Sequence, residues 1–306
     1  MDIMNVEIMR YECGTREEYV AELIEGMNEK HKGKYLFESR IVDALNDTKI
    51  HTIIAFDVKQ NEIFQLPIED AYQASLFMGK DEVFEIINHK IGQFEEFYSR
   101  EDCIEAEKQS IQPWIIGKDK NQDLLQKCPY TEYGDYVIVY RKCTSFNDYQ
   151  LNYGLITWEN AEKLSLDLLQ LHELAMQNVQ NTSLYTIVSY NGCFFEEIGD
   201  FTYRIGNEYE EYIVRGVEEN YSTGSLFNKE IWKNMGNLIG ENYYIIPSSV
   251  HEWIVMSVSM TSKELLETTI TGVNTELNPE DLLGEQYYLY DVEKDEMILM
   301  KSQKDE

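Results

Sequence analysis

One short segment, Pro247-Ser248-Ser249-Val250-His251-Glu252, brings two hydroxyls, an imidazole and a carboxylate within five residues. One hypothesis is a serine nucleophile with His251 as its base, or a polar ligand site; its candidate residues are Ser248, Ser249, His251 and Glu252. The other hypothesis is turn chemistry, in which the hydroxyls bond nearby backbone amides while the imidazole and the carboxylate fix the turn. The turn is favoured, because residues so close on an extended chain rarely point at each other.

Other catalytic and cofactor signatures are missing from the sequence. The 17 glycines form neither G-x-G-x-x-G nor G-x-S-x-G, and the Gly-Lys pairs lack the Walker spacing. His172-Glu173 and His251-Glu252 lack the second histidine that a zinc protease carries four residues on. Asp119, Asn121 and Asp123 imitate the start of a calcium loop, which then lacks its invariant glycine. We therefore predict neither a cofactor nor a metal.

Charge is the main compositional anomaly of the 306-residue chain. It holds 26 Lys+Arg against 56 Asp+Glu, a formal net charge of −30. A phosphate-binding surface needs clustered cations, and the densest basic stretch, 30–34, is short. We therefore predict no direct binding to nucleic-acid phosphates or to membranes. The charge serves either solubility, which is the favoured interpretation, or the docking of a basic partner on an acidic face.

Cysteine usage and the start of the chain predict a cytoplasmic protein. The five cysteines are scattered, and the closest pair, Cys128 and Cys143, is not a C-x-x-C. An odd, dispersed set is typical of reduced thiols rather than of a disulfide framework. The start lacks a cationic region followed by a long apolar one, and no apolar run of about 18 residues occurs. We expect neither a signal peptide nor a membrane span.

Helix and strand signals are mixed without regular β-α alternation. Thr15 and Glu18 form a predicted capping box that begins a helix, and a second box is predicted at 261–264. The clearest helix is predicted over 158–178, where apolar residues recur every three or four positions: Trp158, Ala161, Leu164, Leu168, Leu171, Ala175 and Val179. The run at 243–260 predicts strand, turn and strand. This mixture predicts an α+β fold with a mainly antiparallel sheet.

The chain is predicted to form two packed α+β halves, 1–115 and 132–306, joined by a connector at 116–131. The region around the connector is polar, has weak periodicity and carries Pro113 and Pro129. A chain of this length also lies near the upper size of a single hydrophobic core. One continuous domain is therefore the alternative.

The chain resembles a known family, most clearly near its C-terminus. The run YYIIPSSVHEWIV, then a helix, GVNTELNPEDLLGEQYYLYD and a final strand are similar to the domain of unknown function 5688 (DUF5688), found largely in gut Firmicutes. The matching positions are Pro247, Ser248, Ser249, His251, Glu252, Val273, Asn274, Leu283, Tyr288, Tyr290 and Asp291. The helix predicted over 158–178 and the N-terminal half also fit the family's plan. The resemblance implies that fold plan in a bacterial protein, and it implies no activity.

Three segments depart from the family pattern. Leu45-Asn46-Asp47 stands where the family has Lys-Asn-Asn, and 202–207 is the nearest counterpart of a Tyr-Val-Leu-Thr-Asn stretch. Gly224-Ser225 takes the place of a Gly-Ala pair. If these segments line a site in the family, the sequence predicts that this site is altered or lost here.

Together these observations favour an interaction protein over an enzyme. The leading hypothesis is a non-enzymatic acidic protein that binds a basic macromolecular partner, most readily a protein. One version is a decoy that mimics nucleic acid and occupies a defence or regulatory protein. The alternative is a small-molecule-binding or hydrolytic enzyme centred on 248–252.

Overall fold

The computed structural model describes residues 14–58, 62–146, 151–181, 185–190, 195–197, 211–216, 223–276 and 281–300. By their contacts the residues fall into two compact units. The first unit comprises Met1–Ala44, Lys49–Glu101 and Ser145–Asn147, and the second comprises Leu45–Thr48, Asp102–Thr144 and Asp148–Glu306. The sequence also predicts a short strand at 201–205, and these residues lie outside the described ones.

The first unit packs three helices on a small sheet. Its elements are α1 (Arg16–Lys30), β1 (Tyr35–Asp43), β2 (Lys49–Asp57), β3 (Glu62–Pro67), α2 (Ile68–Met78) and α3 (Lys80–Ser99). The sheet is antiparallel in the order β1-β2-β3. Helix α1 begins with the predicted capping box: the Thr15 hydroxyl accepts from the Glu18 amide at 3.2 Å, and the Glu18 carboxylate accepts from the Thr15 amide at 2.9 Å.

A single apolar core holds this first unit together. Apolar residues recur every three or four positions along α3, which predicts one buried face; Val83, Ile87 and Ile91 are buried, whereas Tyr98 is 38% exposed. The three buried residues pack into one cluster with buried residues of the neighbouring elements, including Leu23 and Met27 of α1. The spacing of three and four residues in the sequence therefore predicts the buried face of α3 at these three positions.

The second unit is larger. Residues 102–300 contain α4 (Cys103–Gln109), β4 (Gln112–Gly117), α5 (Gln122–Leu125), β5 (Tyr130–Tyr133), β6 (Tyr136–Phe146), β7 (Leu151–Leu155), α6 (Trp158–Lys163), α7 (Leu168–Asn178), β8 (Tyr185–Tyr190), β9 (Phe195–Glu197), β10 (Glu211–Gly216), α8 (Lys229–Ile239), β11 (Tyr243–Pro247), β12 (Glu252–Ser257), α9 (Lys263–Glu276), β13 (Tyr287–Asp291) and β14 (Glu296–Met300). One sheet has the order β4-β6-β5, with β7 also on β6, and the other has the order β14-β13-β11-β12-β10-β8-β9. The strand pairings described are antiparallel, which confirms the predicted α+β class.

Strand β6 separates two cores of the second unit. Its Val137 and Val139 lie in the cluster that α8 and the seven-stranded sheet share, whereas Ile138 and Tyr140 pack with α6 and α7. A strand buried on both faces is apolar at successive positions, as 136–140 is. The far side of the seven-stranded sheet carries α9, through Leu266 and Ile270. The layers of this unit are therefore, in order, helices α6 and α7, the sheet that contains β6, the core that contains α8, the seven-stranded sheet and helix α9.

Residues 116–131, which the sequence predicts as a connector, are built into this second unit. They contain the end of β4, all of α5 and the start of β5. Ile116, Leu125 and Cys128 are buried in the main core of the unit. The segment has weak periodicity because these elements are short, not because it is a loop.

The helix predicted over 158–178 is two helices, so the prediction of one continuous helix is wrong. Helix α6 ends at Lys163, and Ser165 adopts a left-handed conformation with φ of 56°. The Leu166 amide bonds the Ala161 carbonyl at 3.0 Å, which closes a helix C-terminus in the Schellman manner. Asp167 then caps α7 by accepting from the Gln170 amide at 2.8 Å.

Most residues of the predicted stripe are buried despite the break, and Leu168 is half-buried. Ala161, Leu164, Leu171, Ala175 and Val179 are buried as predicted. Trp158 is 48% exposed because it stands at the first position of α6. The apolar stripe stays in phase across the break, so periodicity alone does not reveal the break.

The second predicted capping box is displaced by one residue. Ser262 caps α9, because its hydroxyl accepts from the Leu265 amide at 3.1 Å. The Thr261 hydroxyl instead donates to the Ser257 carbonyl at 2.7 Å and so closes the end of β12. Adjacent hydroxyl residues compete for the N-cap position, and the sequence alone does not settle which one is used.

Leu171 and Leu169 offer a matched test of which side of α7 is buried. Leu171 is fully buried and Leu169 is 65% exposed on the same helix. We expect Leu171→Ala to lower the free energy of unfolding by about 2–5 kcal/mol, because it leaves a cavity. Leu169→Ala should change it by less than about 0.5 kcal/mol. Urea denaturation followed by circular dichroism measures both, and equal effects would contradict the described packing.

Candidate functional site

The segment that carries Ser248, Ser249, His251 and Glu252 forms the turn of the β11–β12 hairpin. Pro247 pairs with Trp253 across the hairpin, so the predicted strand-turn-strand is confirmed. Both strands lie inside the seven-stranded sheet rather than at its edge. The turn is therefore held by two strands whose positions are fixed by neighbours on either side.

The two serine hydroxyls are engaged in bonds within this turn. The Ser248 hydroxyl donates to the Glu252 carboxylate at 3.0 Å, and the Ser248 amide donates to the Glu252 carbonyl at 3.0 Å. The Ser249 hydroxyl accepts from the His251 amide at 2.9 Å, and Ser249 is only 5% exposed. The Ser249 bond is the local side-chain to backbone bond that serine forms in turns, and the Ser248 hydroxyl is held by a side chain of the same turn. Both favour the turn hypothesis over an activated nucleophile.

The imidazole of His251 pairs with a carboxylate that the sequence does not place near it. His251 Nε2 lies 3.2 Å from Oδ1 of Asp281, thirty residues further along the chain. In a catalytic His-carboxylate pair, the other ring nitrogen faces the nucleophile. Here that nitrogen, Nδ1, is buried and has no hydrogen-bond partner within the described part of the chain. The pair anchors the turn and offers no exposed basic nitrogen to a serine.

Backbone bonds join the same turn to two other segments. The Val250 amide donates to the Asp281 carbonyl at 2.9 Å. The indole Nε1 of Trp114, on β4, donates to the Val250 carbonyl at 2.9 Å. The turn is thus tied to the four-stranded sheet and to the segment before β13, and Val250 is buried between them.

Asn46 and Asn121 form a second polar cluster, which also bonds Leu282, the residue that follows Asp281. The Asn46 amide donates to Oδ1 of Asn121 at 2.7 Å, and the Asn46 side chain donates to the Leu282 carbonyl at 2.9 Å. Asn121 is fully buried, and its side chain also donates to the Gly117 carbonyl at 2.7 Å. Asn121 is one of the three residues that resemble the start of a calcium-binding loop, but its side chain forms these structural hydrogen bonds instead. Sequence reasoning missed this role, since the partners are 75 residues apart.

Gly224-Ser225, the counterpart of the family's small pair, serves close packing. A Cβ atom on Gly224 would lie 2.4 Å from the carbonyl oxygen of Pro113. The neighbouring Thr223 hydroxyl accepts from the Ile115 amide at 3.1 Å, so the loop lies directly against β4. Residue 224 must be glycine because the two backbones touch. The segment 202–207 lies outside the described residues.

Two cysteines and the tyrosine at position 140 are poorly placed to bind a ligand. Cys103 and Cys128 are free thiols, and burial raises the pKa of Cys128 to about 11. The Tyr140 hydroxyl contacts His172 Nδ1 at 2.9 Å and Thr131 at 2.7 Å, and burial raises the pKa of Tyr140 to about 12. Within the described ranges no three His, Cys, Asp or Glu side chains are grouped to hold a metal ion. Nor does any described helix have the length and apolar character needed to cross a membrane.

Comparison with known proteins gives one match. A family model described as a family of unknown function (DUF5688) matches residues 16–292. No curated protein matches the chain, and no solved structure matches it.

Ser249 tests whether the turn is structural. Ser249→Ala removes the acceptor of the His251 amide, and we expect it to lower the free energy of unfolding by about 1–3 kcal/mol. Ser259→Ala, on an exposed hydroxyl after β12, is the matched control and should change it by less than about 0.5 kcal/mol. Thermal and urea unfolding measure both variants. If Ser249→Ala is as mild as the control, the hydroxyl is not needed by the turn and becomes available for another role.

Proposed function

The chain belongs to the family of unknown function DUF5688, and we propose that it acts by binding a basic macromolecular partner, a protein, through its acidic surface. The observation that carries this proposal is the net charge of −30. A surplus of one sign creates a field that attracts and orients partners of the opposite sign.

The surplus is spread evenly along the sequence, and residues 1–101 contain 21 Asp+Glu against 11 Lys+Arg. Residues 102–306 contain 35 Asp+Glu against 15 Lys+Arg. Several of those few cations already face carboxylates: Lys118 lies 2.8 Å from Glu132, Lys163 lies 2.9 Å from Glu159 and Lys294 lies 2.6 Å from Asp291. Such pairs cancel locally and leave the excess carboxylates to set the field. A partner rich in Lys and Arg fits this surface, whereas nucleic-acid phosphates and anionic lipids do not.

A narrower version of the proposal is a decoy that mimics nucleic acid. Exposed carboxylates in number present phosphate-like charge to a protein that normally binds a nucleic-acid backbone. The partner would then be a defence or regulatory protein with a basic cleft, and its nucleic acid would compete with this chain for that cleft.

The alternative, a small-molecule-binding or hydrolytic site at 248–252, has weaker support. The hydroxyls of Ser248 and Ser249 are engaged within the turn, and the ring nitrogen of His251 that would act as a base is buried. An enzyme at this place would need to open the hairpin turn before reacting. The geometry of a preorganised site is the opposite, with donors and acceptors aimed at the substrate.

Repulsion among the carboxylates predicts that salt stabilises the fold. Raising NaCl from about 0.02 M to about 0.15 M shortens the screening length to roughly 8 Å, so exposed like charges repel less. We expect the melting temperature to rise by a few degrees. Choline chloride at equal ionic strength should raise the melting temperature by the same amount as NaCl if screening is the cause. A melting temperature that falls over this range would contradict the proposal's premise.

Partner binding is tested by capture from nuclease-treated lysate followed by titration of the purified partner. We expect a basic protein to be retained at low salt, and its binding constant to fall steadily as salt rises, since each ionic contact is screened. Polyglutamate should displace it. Duplex DNA should also displace it if the decoy version holds. A failure to retain any basic protein at either low or physiological salt would contradict the proposal.

A further inference from the structure

The first unit contains a groove that no part of the proposed function uses. Its volume is about 510 Å³, within the range of roughly 300–1,000 Å³ that holds small ligands. It lies between α1 and the sheet. Its floor and walls are mainly aliphatic, formed by Val20, Ala21 and Ile24 of α1 and Ile68 of α2. Ser39 of β1 and His51 of β2 add a hydroxyl and an imidazole.

The charged residues of the groove are arranged unequally along α1. At one end the Arg16 guanidinium lies 3.3 Å from a carboxylate oxygen of Glu69 and 3.3 Å from one of Glu17, so its charge is balanced. Glu25 also lines the groove, eight residues beyond Glu17 and so about 12 Å further along the helix. No ion pair of Glu25 occurs among the described residues.

This arrangement selects the charge of a ligand. A carboxylate or phosphate would find its one guanidinium already held by two carboxylates, in a chain of net charge −30. A cation would instead gain a charge-assisted hydrogen bond to Glu25, with aliphatic surface beside it for a hydrocarbon body. The groove therefore suits a molecule that is apolar along its length and cationic at one end.

We propose that this groove is a binding site for a small aliphatic amine. The ammonium group lies at the Glu25 carboxylate, and the hydrocarbon body lies along Ile24, Val20 and Ile68. Ser39 and His51 on the sheet side accept or donate hydrogen bonds to any further polar group on that body. The site is separate from the acidic surface that the proposed function uses and goes beyond that function.

Three probes with the same hydrocarbon body test the charge selection. Octylamine, octanol and octanoate are titrated into the full chain by calorimetry in about 0.15 M NaCl, where exposed charges are screened. We expect octylamine to bind about tenfold more tightly than octanol, since the charged contact is the difference between them. Octanoate should not bind measurably. Equal affinity of octylamine and octanoate would overturn the proposal.

Two substitutions locate the site. In Glu25→Gln, octylamine and octanol should bind with about equal affinity. Glu29 is exposed on the same helix and lies outside the groove, so in Glu29→Gln octylamine should keep its higher affinity. Ala21→Phe fills the groove from an exposed position of α1, and we expect it to abolish binding of both probes while the melting temperature stays within a few degrees. Binding that survives Ala21→Phe, or that responds equally to both glutamine variants, would place the amine elsewhere and overturn the proposal.

A lysine side chain of a partner protein offers the same chemistry from another source. The capped peptide acetyl-Leu-Lys-Leu-amide is therefore titrated alongside octylamine. Tighter binding of the peptide, lost in Glu25→Gln, would overturn the free-amine proposal in favour of a docking site for a peptide. These experiments use no macromolecular partner, so their failure leaves the salt-dependent capture of a basic protein as a separate outcome.

Discussion

Thirty surplus negative charges repel one another in this chain, so its cohesion has to come from the burial of uncharged groups. The second unit meets this requirement with aromatic residues, and Trp232, Trp253 and Tyr243 are among the largest fully buried side chains. Tyrosine suits such a fold because its ring is apolar while its hydroxyl can satisfy a buried carbonyl. The Tyr243 hydroxyl donates to the Trp232 carbonyl at 2.6 Å, and the Tyr136 hydroxyl donates to the Gln286 carbonyl at 3.2 Å. At Tyr243 and Tyr136, aromatic burial with satisfied hydroxyls thus contributes cohesion that does not depend on ion pairs.

Features that depend on near neighbours in sequence were predictable. The capping box at Thr15 and the β11–β12 hairpin follow from local hydrogen bonding and from alternation, and both are present. The break at Ser165 was not predictable from periodicity, because a left-handed serine leaves the apolar stripe in phase. At the candidate site the sequence identified the turn residues but not Asp281, which contacts His251 only after α9 has returned the chain to the hairpin. Long-range polar contacts of this kind depend on the tertiary fold, which no local pattern encodes.

Segments that match the family pattern and one that departs from it, the loop at Asn46, meet in one place in the second unit. The hairpin turn, the loop at Asn46 and the segment 281–283 are joined by bonds to Asp281 and Leu282. The bond of the buried Val250 amide satisfies a backbone group that would otherwise be costly to bury. The recognisable sequence pattern is therefore explained by the geometry of the fold. The groove beside α1 lies outside this pattern.

Cys128 shows how burial can make a reactive group silent. Its thiol donates to the Leu124 carbonyl at 3.4 Å, inside the main core of the second unit. Burial raises the pKa of this thiol to about 11, so the protonated form dominates at neutral pH. Since oxidants and alkylating reagents attack the thiolate, the folded core protects this sulfur twice, by exclusion and by protonation. The rate of chemical modification at Cys128 would therefore report how often the core around it opens, which makes this residue a probe of local unfolding.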